Sequence, residues 1–248
     1  MKQKELCDLI IKAMGQLAKK EPDFGYPSDD PEPKRPKPTN KLEARFQQIL
    51  YEKLSDLRND LYWKKECRHE TDWLPNVNHV EYDICGFYDN KFDELACIIE
   101  LKYVTRKERN CPNAKPSNPP AFPYDVLKDC LKIELGQQKS TKYVPGVSVG
   151  LTDWPNYWNK SNRNRRWSRN FSTAIAFDQQ PFVVPRFIQT VTRNLNTAVY
   201  TNKRCHFSFS RTWKGKWYDY SGSAHTANDG FRYVLLWPDS ADPCGYRH

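Results

Sequence analysis

The sequence predicts an α/β protein built on a mixed central sheet, and three stretches carry that expectation. The first is HVEYDICGFYDNKFDELACIIELKYV, residues 79–104, where two extended apolar runs flank a turn rich in Asp and Asn, the pattern of a β-hairpin. The second lies ahead of it. In KLEARFQQILYEKLSDLRNDL, Leu42, Phe46, Ile49, Leu50, Leu54, Leu57 and Leu61 make one broad helical stripe able to pack on a sheet. The third follows the hairpin: YDVLKDCLKIELGQQ reads as a helix and VPGVSVGLTD as a buried strand. Strand, helix and buried strand in succession imply a crossover connection and a parallel pairing.

Taken in order, residues 4–19 read as a helix with Leu6, Ile10, Met14 and Leu17 on one face. EPDFGYPSDDPEPKRPKPTN follows, with six prolines between Pro22 and Pro38, and can form neither a helix nor a central strand. The expected organisation is a helix over residues 1–20, a Pro-rich linker or arm over 21–38, and a main domain over 39–248. On this view the first helix is a detachable cap or a docking element. The main domain opens at Thr39 or Asn40, either of which suits an N-cap, and Glu43 lies in the first turn, where a carboxylate complements the helix dipole. A short strand from Tyr62 to Cys67 turns the hairpin into a three-strand meander. In the later helix, Leu127, Cys130, Leu131 and Leu135 face inward, with Pro123 and Asp125 near its start. The core thus spans about residues 40–153.

The last third, 154–248, is an aromatic and basic extension with weaker patterning. KRCHFSFSRTWKGKWYDYSGS carries a turn signal at Gly215, and FRYVLLWP reads as a closing buried strand. WPNYWNKSNRNRRWSRNF places Lys160, Arg163, Arg165, Arg166 and Arg169 among Trp154, Trp158, Trp167 and Phe171. Arginine forks bind phosphate and aromatic faces stack on bases, so Arg163, Arg165, Arg166, Trp167 and Arg169 are the candidate nucleic-acid contacts. The long loop after Val104 adds Arg106, Lys107, Arg109 and Lys115, and Lys107 and Arg109 join the candidate nucleic-acid contacts. The bland alternative for all of them is a solvated basic surface.

The net charge of +9 on 248 residues favours a polyanionic partner. No basic amphipathic helix with a large apolar face points to a membrane surface, and no run approaches a membrane span. The N-terminal MKQKELCDLI lacks the apolar segment of a secretory signal, and eight scattered Cys contain no CxxC pair. Reduced thiols in a cytoplasmic protein are therefore expected. Cys67, His69, His79 and Cys85 are spaced poorly for a metal, and packing is the favoured role for them. No GxSxG, Walker loop or HExxH occurs.

One feature of the hairpin is not explained by folding alone. Strand side chains alternate, so Glu100 and Lys102 share a face opposite Ile99, Leu101 and Tyr103, and the first strand brings Asp83 beside them. Glu81 shares Asp83's face under the same rule. Two carboxylates and an ammonium in an apolar hairpin are unfavourable unless something offsets their desolvation, and a divalent cation would. An Asp on one strand followed by Glu-x-Lys on the next, here Asp83 and the ELK string of Glu100 and Lys102, resembles the PD-(D/E)XK nuclease superfamily, with Tyr82 standing where the name-giving proline would be.

That resemblance implies a restriction-endonuclease-like αβββαβ core and metal-dependent hydrolysis of phosphodiester bonds, most readily in DNA, as in a restriction-type or defence endonuclease. It implies Mg²⁺, with Mn²⁺ as a substitute, held by Asp83 and Glu100. Glu43 would be the acidic residue supplied by the first helix of the core, pointing at the metal site as a further metal residue, and Lys102 would hold the attacking water or stabilise charge. Nucleic acid is the implied partner, and a homodimer is compatible with it. Two other readings stay open: a nuclease-like fold that binds nucleic acid without cutting it, and an adaptor whose Asp–Glu–Lys cluster is an ordinary ion-pair network.

Overall fold

The structure is a computed structural model and describes residues 1–21, 38–70, 79–104, 122–139, 142–154, 157, 174–175, 181–189, 206–220 and 230–239. Three helices, α1 (Gln3–Lys20), α2 (Pro38–Leu57) and α3 (Phe122–Lys139), accompany nine strands among those residues. The strands are β1 (Tyr62–Glu70), β2 (His79–Phe87), β3 (Leu95–Val104), β4 (Gly146–Thr152), β5 (Phe182–Val184), β6 (Phe187–Gln189), β7 (His206–Ser208), β8 (Trp213–Asp219) and β9 (Arg232–Pro238). Seven form one mixed sheet in the order β1-β2-β3-β4-β9-β8-β5, and β6 pairs separately with β7. Only β3 and β4 run parallel within the large sheet; its other pairings are antiparallel. The fold is α/β with a mostly antiparallel mixed sheet.

The hairpin, the strand before it, the crossover helix and the parallel strand all stand where their apolar patterns place them. The hairpin turn is fixed by Asp89, whose carboxylate accepts the backbone N–H groups of Lys91, Asp93 and Glu94 at 2.9–3.1 Å. FRYVLLWP forms β9, which closes against β4. Gly215 departs from expectation. It lies inside β8, where a β-carbon would run into the Phe182 ring and Leu236, so the absent side chain makes packing space rather than a turn. Helix α2 ends at Leu57, earlier than its apolar stripe; Leu61 is buried beyond the helix, after a turn held by Arg58 and Asp60. It also begins at Pro38, ahead of both expected caps, and the fixed φ of proline suits a first helical turn.

Two apolar layers sandwich the sheet. On one side Leu6, Ile10, Met14 and Leu17 of α1 and Phe46, Leu50 and Leu54 of α2 pack on Ile84, Ile99, Leu101, Val147, Val149 and Leu235. On the other, Phe122, Val126, Leu127, Cys130 and Ile133 of α3 pack with Tyr82, Ile98, Trp213, Trp217 and Leu236. Strand β4 shows how the sequence arranges this: Val147, Val149 and Leu151 face α1 and α2, whereas Gly146, Ser148 and Gly150 alternate with them. A β-carbon at Gly150 would strike Phe122 and Val126, so these small residues let α3 lie close to the sheet.

Helix α1 is part of this body. Leu6, Ile10, Ala13 and Met14 have no exposed surface. Gln3 continues the sheet's own bonding: its Nε2 donates to the Gly146 carbonyl at 3.1 Å, and its Oε1 accepts from the Gly146 N–H at 3.2 Å and from the Tyr143 hydroxyl at 2.8 Å. Arg45 of α2 also reaches Glu21 at 2.8 Å. The expectation of a detachable cap is corrected here, because an amphipathic helix with an apolar face this complete is stable only when that face is covered.

The C-terminal strands are tied to α3 by one buried carboxylate. Glu134 accepts from the Ser210 N–H and hydroxyl, the Arg211 N–H and the Trp213 indole N–H at 2.8–3.1 Å. Glu134→Ala leaves these donors without their acceptor, and the expected loss is on the order of 3 kcal/mol in urea unfolding. A loss below about 0.5 kcal/mol, the scatter of neutral surface changes, would show that water replaces the carboxylate.

Candidate active site

Asp83 sits where two strands change face. Tyr82 packs in the α3 layer while Ile84 packs in the α1 and α2 layer, so the period-two alternation breaks between them. Glu66, across from Asp83 on β1, has φ of 51°, a left-handed value that is unfavourable for a long side chain by roughly 1–2 kcal/mol. Cys67 likewise joins the α3 layer, whereas Trp63 joins the other. Both strands thus switch faces together and the register is kept. This removes the basis for placing Glu81 on Asp83's face; Glu81 is exposed and lies across from Arg68.

The irregular backbone at Asp83 is held by side chains from elsewhere. Gln47 of α2 donates to the Asp83 carbonyl at 2.8 Å. Pairing of β2 with β3 runs from Ile84↔Ile99 to Phe87↔Leu95, and beyond it the Asp83 carboxylate takes over by accepting the Leu101 N–H at 2.6 Å. That bond fixes the Asp83 carboxyl beside the segment carrying Glu100 and Lys102.

Glu100 and Lys102 lie next to Ser148 and Gly150 in the β3–β4 register. Those small neighbours leave room under α3, and α3 fills it with charge. Glu100 is 1% exposed, and its Oε2 accepts from Lys132 Nζ at 2.6 Å. Asp129, one turn earlier on α3, is 3% exposed. Glu100 Oε1 and Asp129 Oδ2 are buried with no hydrogen-bond partner among the described residues. Lys102 Nζ reaches Glu43 Oε1 at 3.1 Å, and the Tyr103 N–H points at Glu43 Oε2 at 3.4 Å. Tyr82 donates its hydroxyl to the Lys132 carbonyl at 3.2 Å and so pins α3 over the cluster.

The electrostatics follow from burial and crowding. Burial, then Asp129, pushes the Glu100 carboxyl well above the usual range, with Lys132 opposing. Burial raises Asp129 to about 7 against the pull of Lys102 and Lys132. Burial opposes the charge on Lys102, but Asp129, Glu43 and Asp83 outweigh it and raise its pKa above the ordinary lysine value. Lys132 is raised in the same way, by Glu100 and Asp129 against burial. A carboxyl with a raised folded-state pKa keeps its proton where the unfolded chain has lost it. Stability therefore falls as pH rises from about 4 to about 7, by up to ~1.4 kcal/mol per pH unit for each such group. Urea midpoints without divalent cations should decrease across this window, the contribution of Asp129 vanishing in Asp129→Asn. A flat profile would mean that the ammonium groups already neutralise the cluster.

The structure thus brings Glu43, Asp83, Glu100 and Lys102 into one neighbourhood and adds Gln47, Asp129 and Lys132, which are not among the residues expected from the sequence. The available signal was two charges, Asp129 and Lys132, spaced i, i+3 among apolar positions that mark the buried face of α3. No three His, Cys, Asp or Glu side chains among the described residues form a preassembled metal cage. Cys67 and Cys85 are buried in the α3 layer, and His69 packs edge-on against Tyr82. Trp154, at the head of the basic and aromatic stretch, is buried. Lys107, Arg109, Arg163, Arg165, Arg166, Trp167 and Arg169 lie outside the described residues. No described helix is long and apolar enough to cross a membrane. Comparison with protein-family models, curated proteins and solved structures finds no match to this chain.

Proposed function

We propose that the protein is a metal-dependent nuclease that hydrolyses phosphodiester bonds in DNA, with its site where β2 and β3 part. The observation that carries the proposal is the wholly buried Glu100, one carboxylate oxygen unpartnered, in a cluster of more carboxylates than ammonium groups. Buried carboxylate oxygens are unfavourable unless matched, and a divalent cation matches them. The helix, three-strand meander, helix and parallel strand around it are the element order of the PD-(D/E)XK core, and the net charge of +9 suits a polyanion.

Asp83 and Glu100 would hold Mg²⁺, which accepts few protein carboxylates and keeps waters and phosphate oxygens as its other ligands. Bound there, Mg²⁺ or Mn²⁺ would neutralise developing phosphate charge and supply an activated water. The chain's own residues do the rest. Leu101's N–H orients Asp83, Lys132 restrains Glu100, and Glu43 aims the Lys102 ammonium, which donates hydrogen bonds to water or phosphate oxygen. The competing reading, a self-contained ion-pair network, draws on the Lys132–Glu100 and Lys102–Glu43 contacts.

Incubation of the purified protein with plasmid and Mg²⁺, against an EDTA control, decides among these. Cation-dependent cleavage supports the proposal. DNA binding without cleavage points to an inactive nuclease fold, and neither binding nor a cation effect on stability leaves the ion-pair network.

A further inference from the structure

We propose that α3 completes the cation site, with Asp129 sharing the divalent cation with Glu100. The proposal deepens the cation-dependent reading of this site and rests on it. Its geometry begins from the 2.6 Å contact of Lys132 with Glu100, which fixes the register of α3 over β3. Helix α3 returns the chain from the end of β3 to the start of the parallel strand β4, so it runs back along β3. Asp129, three residues before Lys132, therefore lies toward Lys102, two residues after Glu100. The i, i+3 step on a helix spans roughly 5 Å and the i, i+2 step on a strand roughly 6.6 Å, so the two charged pairs face each other in reversed order.

An ordinary ion-pair tetrad in this arrangement would be satisfied, and this one is not. Lys132 occupies Glu100 Oε2, which leaves Glu100 Oε1, while Asp129 presents Oδ2; both atoms are buried and lack a partner among the described residues. Asp129 is 3% exposed, so bulk water does not solvate it. Around the cluster the carboxyls of Glu43, Asp83, Glu100 and Asp129 gather on the ammonium groups of Lys102 and Lys132, with Asp125 also acting on Asp129. Carboxyls outnumber ammonium groups, and a divalent cation would favour the ionised forms of those whose pKa burial raises. Helix α3 is held where it is by Tyr82's hydroxyl on the Lys132 carbonyl and by Ser148's hydroxyl on the Val126 carbonyl at 3.1 Å. Asp129 is thus presented to the cation by a braced element.

The test separates a cation ligand from a structural counter-charge. The full chain, its Asp129→Asn variant and Glu81→Ala as a control are titrated with Mn²⁺ by calorimetry in the absence of nucleic acid, and each is unfolded in urea. Asp129→Asn removes one of two crowded buried carboxylates while keeping its shape, so it is expected to be at least as stable as the parent at neutral pH. Its Mn²⁺ affinity is nevertheless expected to fall roughly 10–100-fold, the usual scale for loss of a group that shapes a metal site. Unchanged affinity overturns the proposal and leaves Asp129 as a counter-charge to Lys102. Should Asp129→Asn not fold, Asp129→Glu, which keeps the charge but displaces it, is read instead, and parental affinity there overturns the proposal equally. A parent chain that binds no Mn²⁺ overturns both this inference and the reading of the site on which it rests.

Discussion

Removing the carboxylate charge of Glu100 or Asp83 is expected to abolish Mg²⁺-dependent cleavage while DNA binding survives. Both residues stand on strands, fixed by neighbours rather than by solvent, and a divalent cation held by few protein carboxylates has no substitute for either. Loss of a negative group also relieves repulsion of phosphate, so affinity for DNA should hold or rise. Glu100→Gln is the cleaner change, because Glu100→Ala would open a cavity and strand Lys132 without its partner. Asp83→Ala is tolerable in packing terms, since Asp83 is only partly buried. Lys102→Ala should retain cation binding and slow turnover by ~10²–10⁴-fold, the scale of a positioned proton-handling group. Lys102→Arg should not restore it, because a planar fork does not replace a compact ammonium. Glu43→Gln acts through Lys102 and should give a smaller loss, in turnover rather than in cation affinity. Glu81→Ala should be close to the parent protein. Gel assays with plasmid and Mg²⁺ check all of these, and full activity in Asp83→Ala and Glu100→Gln would sink the nuclease assignment of this hairpin.

Deletion of residues 1–38 should destroy cooperative folding. Leu6, Leu9, Ile10, Met14 and Leu17 are each at most 7% exposed, and burying a large aliphatic side chain contributes roughly 1.5–3 kcal/mol. Their sum, on the order of 10 kcal/mol, is comparable to the whole stability of a typical domain. The deletion would also bare Phe46, Leu50, Val147 and Val149, which α1 helps to cover, and strip Gly146 of both hydrogen bonds to Gln3. Thermal unfolding of the truncated chain checks this. A sharp transition near that of the full protein would show that α1 is the removable cap its flanking proline-rich segment suggests.

Residue period explains why most elements were legible. The hairpin, α2, α3, β4 and β9 each carry an apolar pattern long enough to show through its interruptions, and local sequence dictates such patterns. Glycine misled where its role was long-range: Gly215 lies mid-strand because the Phe182 ring needs the space, a reason found more than thirty residues away. The prolines between α1 and α2 suggested separability, yet a linker's composition says nothing of whether the helix before it is covered.

The same division holds at the site. Asp83, Glu100 and Lys102 could be picked from the sequence because charges stand out in an apolar hairpin, and the spacing of Glu100 and Lys102 alone puts them on one face. Glu43 could be suspected from its place just after the expected caps, although α2 begins at Pro38 and so carries Glu43 beyond its first turn. Asp129 and Lys132 carry only their i, i+3 spacing among apolar positions of α3, and Gln47 carries no local signal, because nothing nearby distinguishes an amide that meets a strand backbone from one that meets water. Nor could alternation reveal that β1 and β2 switch faces together at Glu66 and Asp83. The sequence by itself determined the elements and the charged motif, since both depend on spacings of two to four residues. The tertiary structure decided which charges are buried together, because desolvation depends on what α3 and β4 bring against β3 from residues far along the chain.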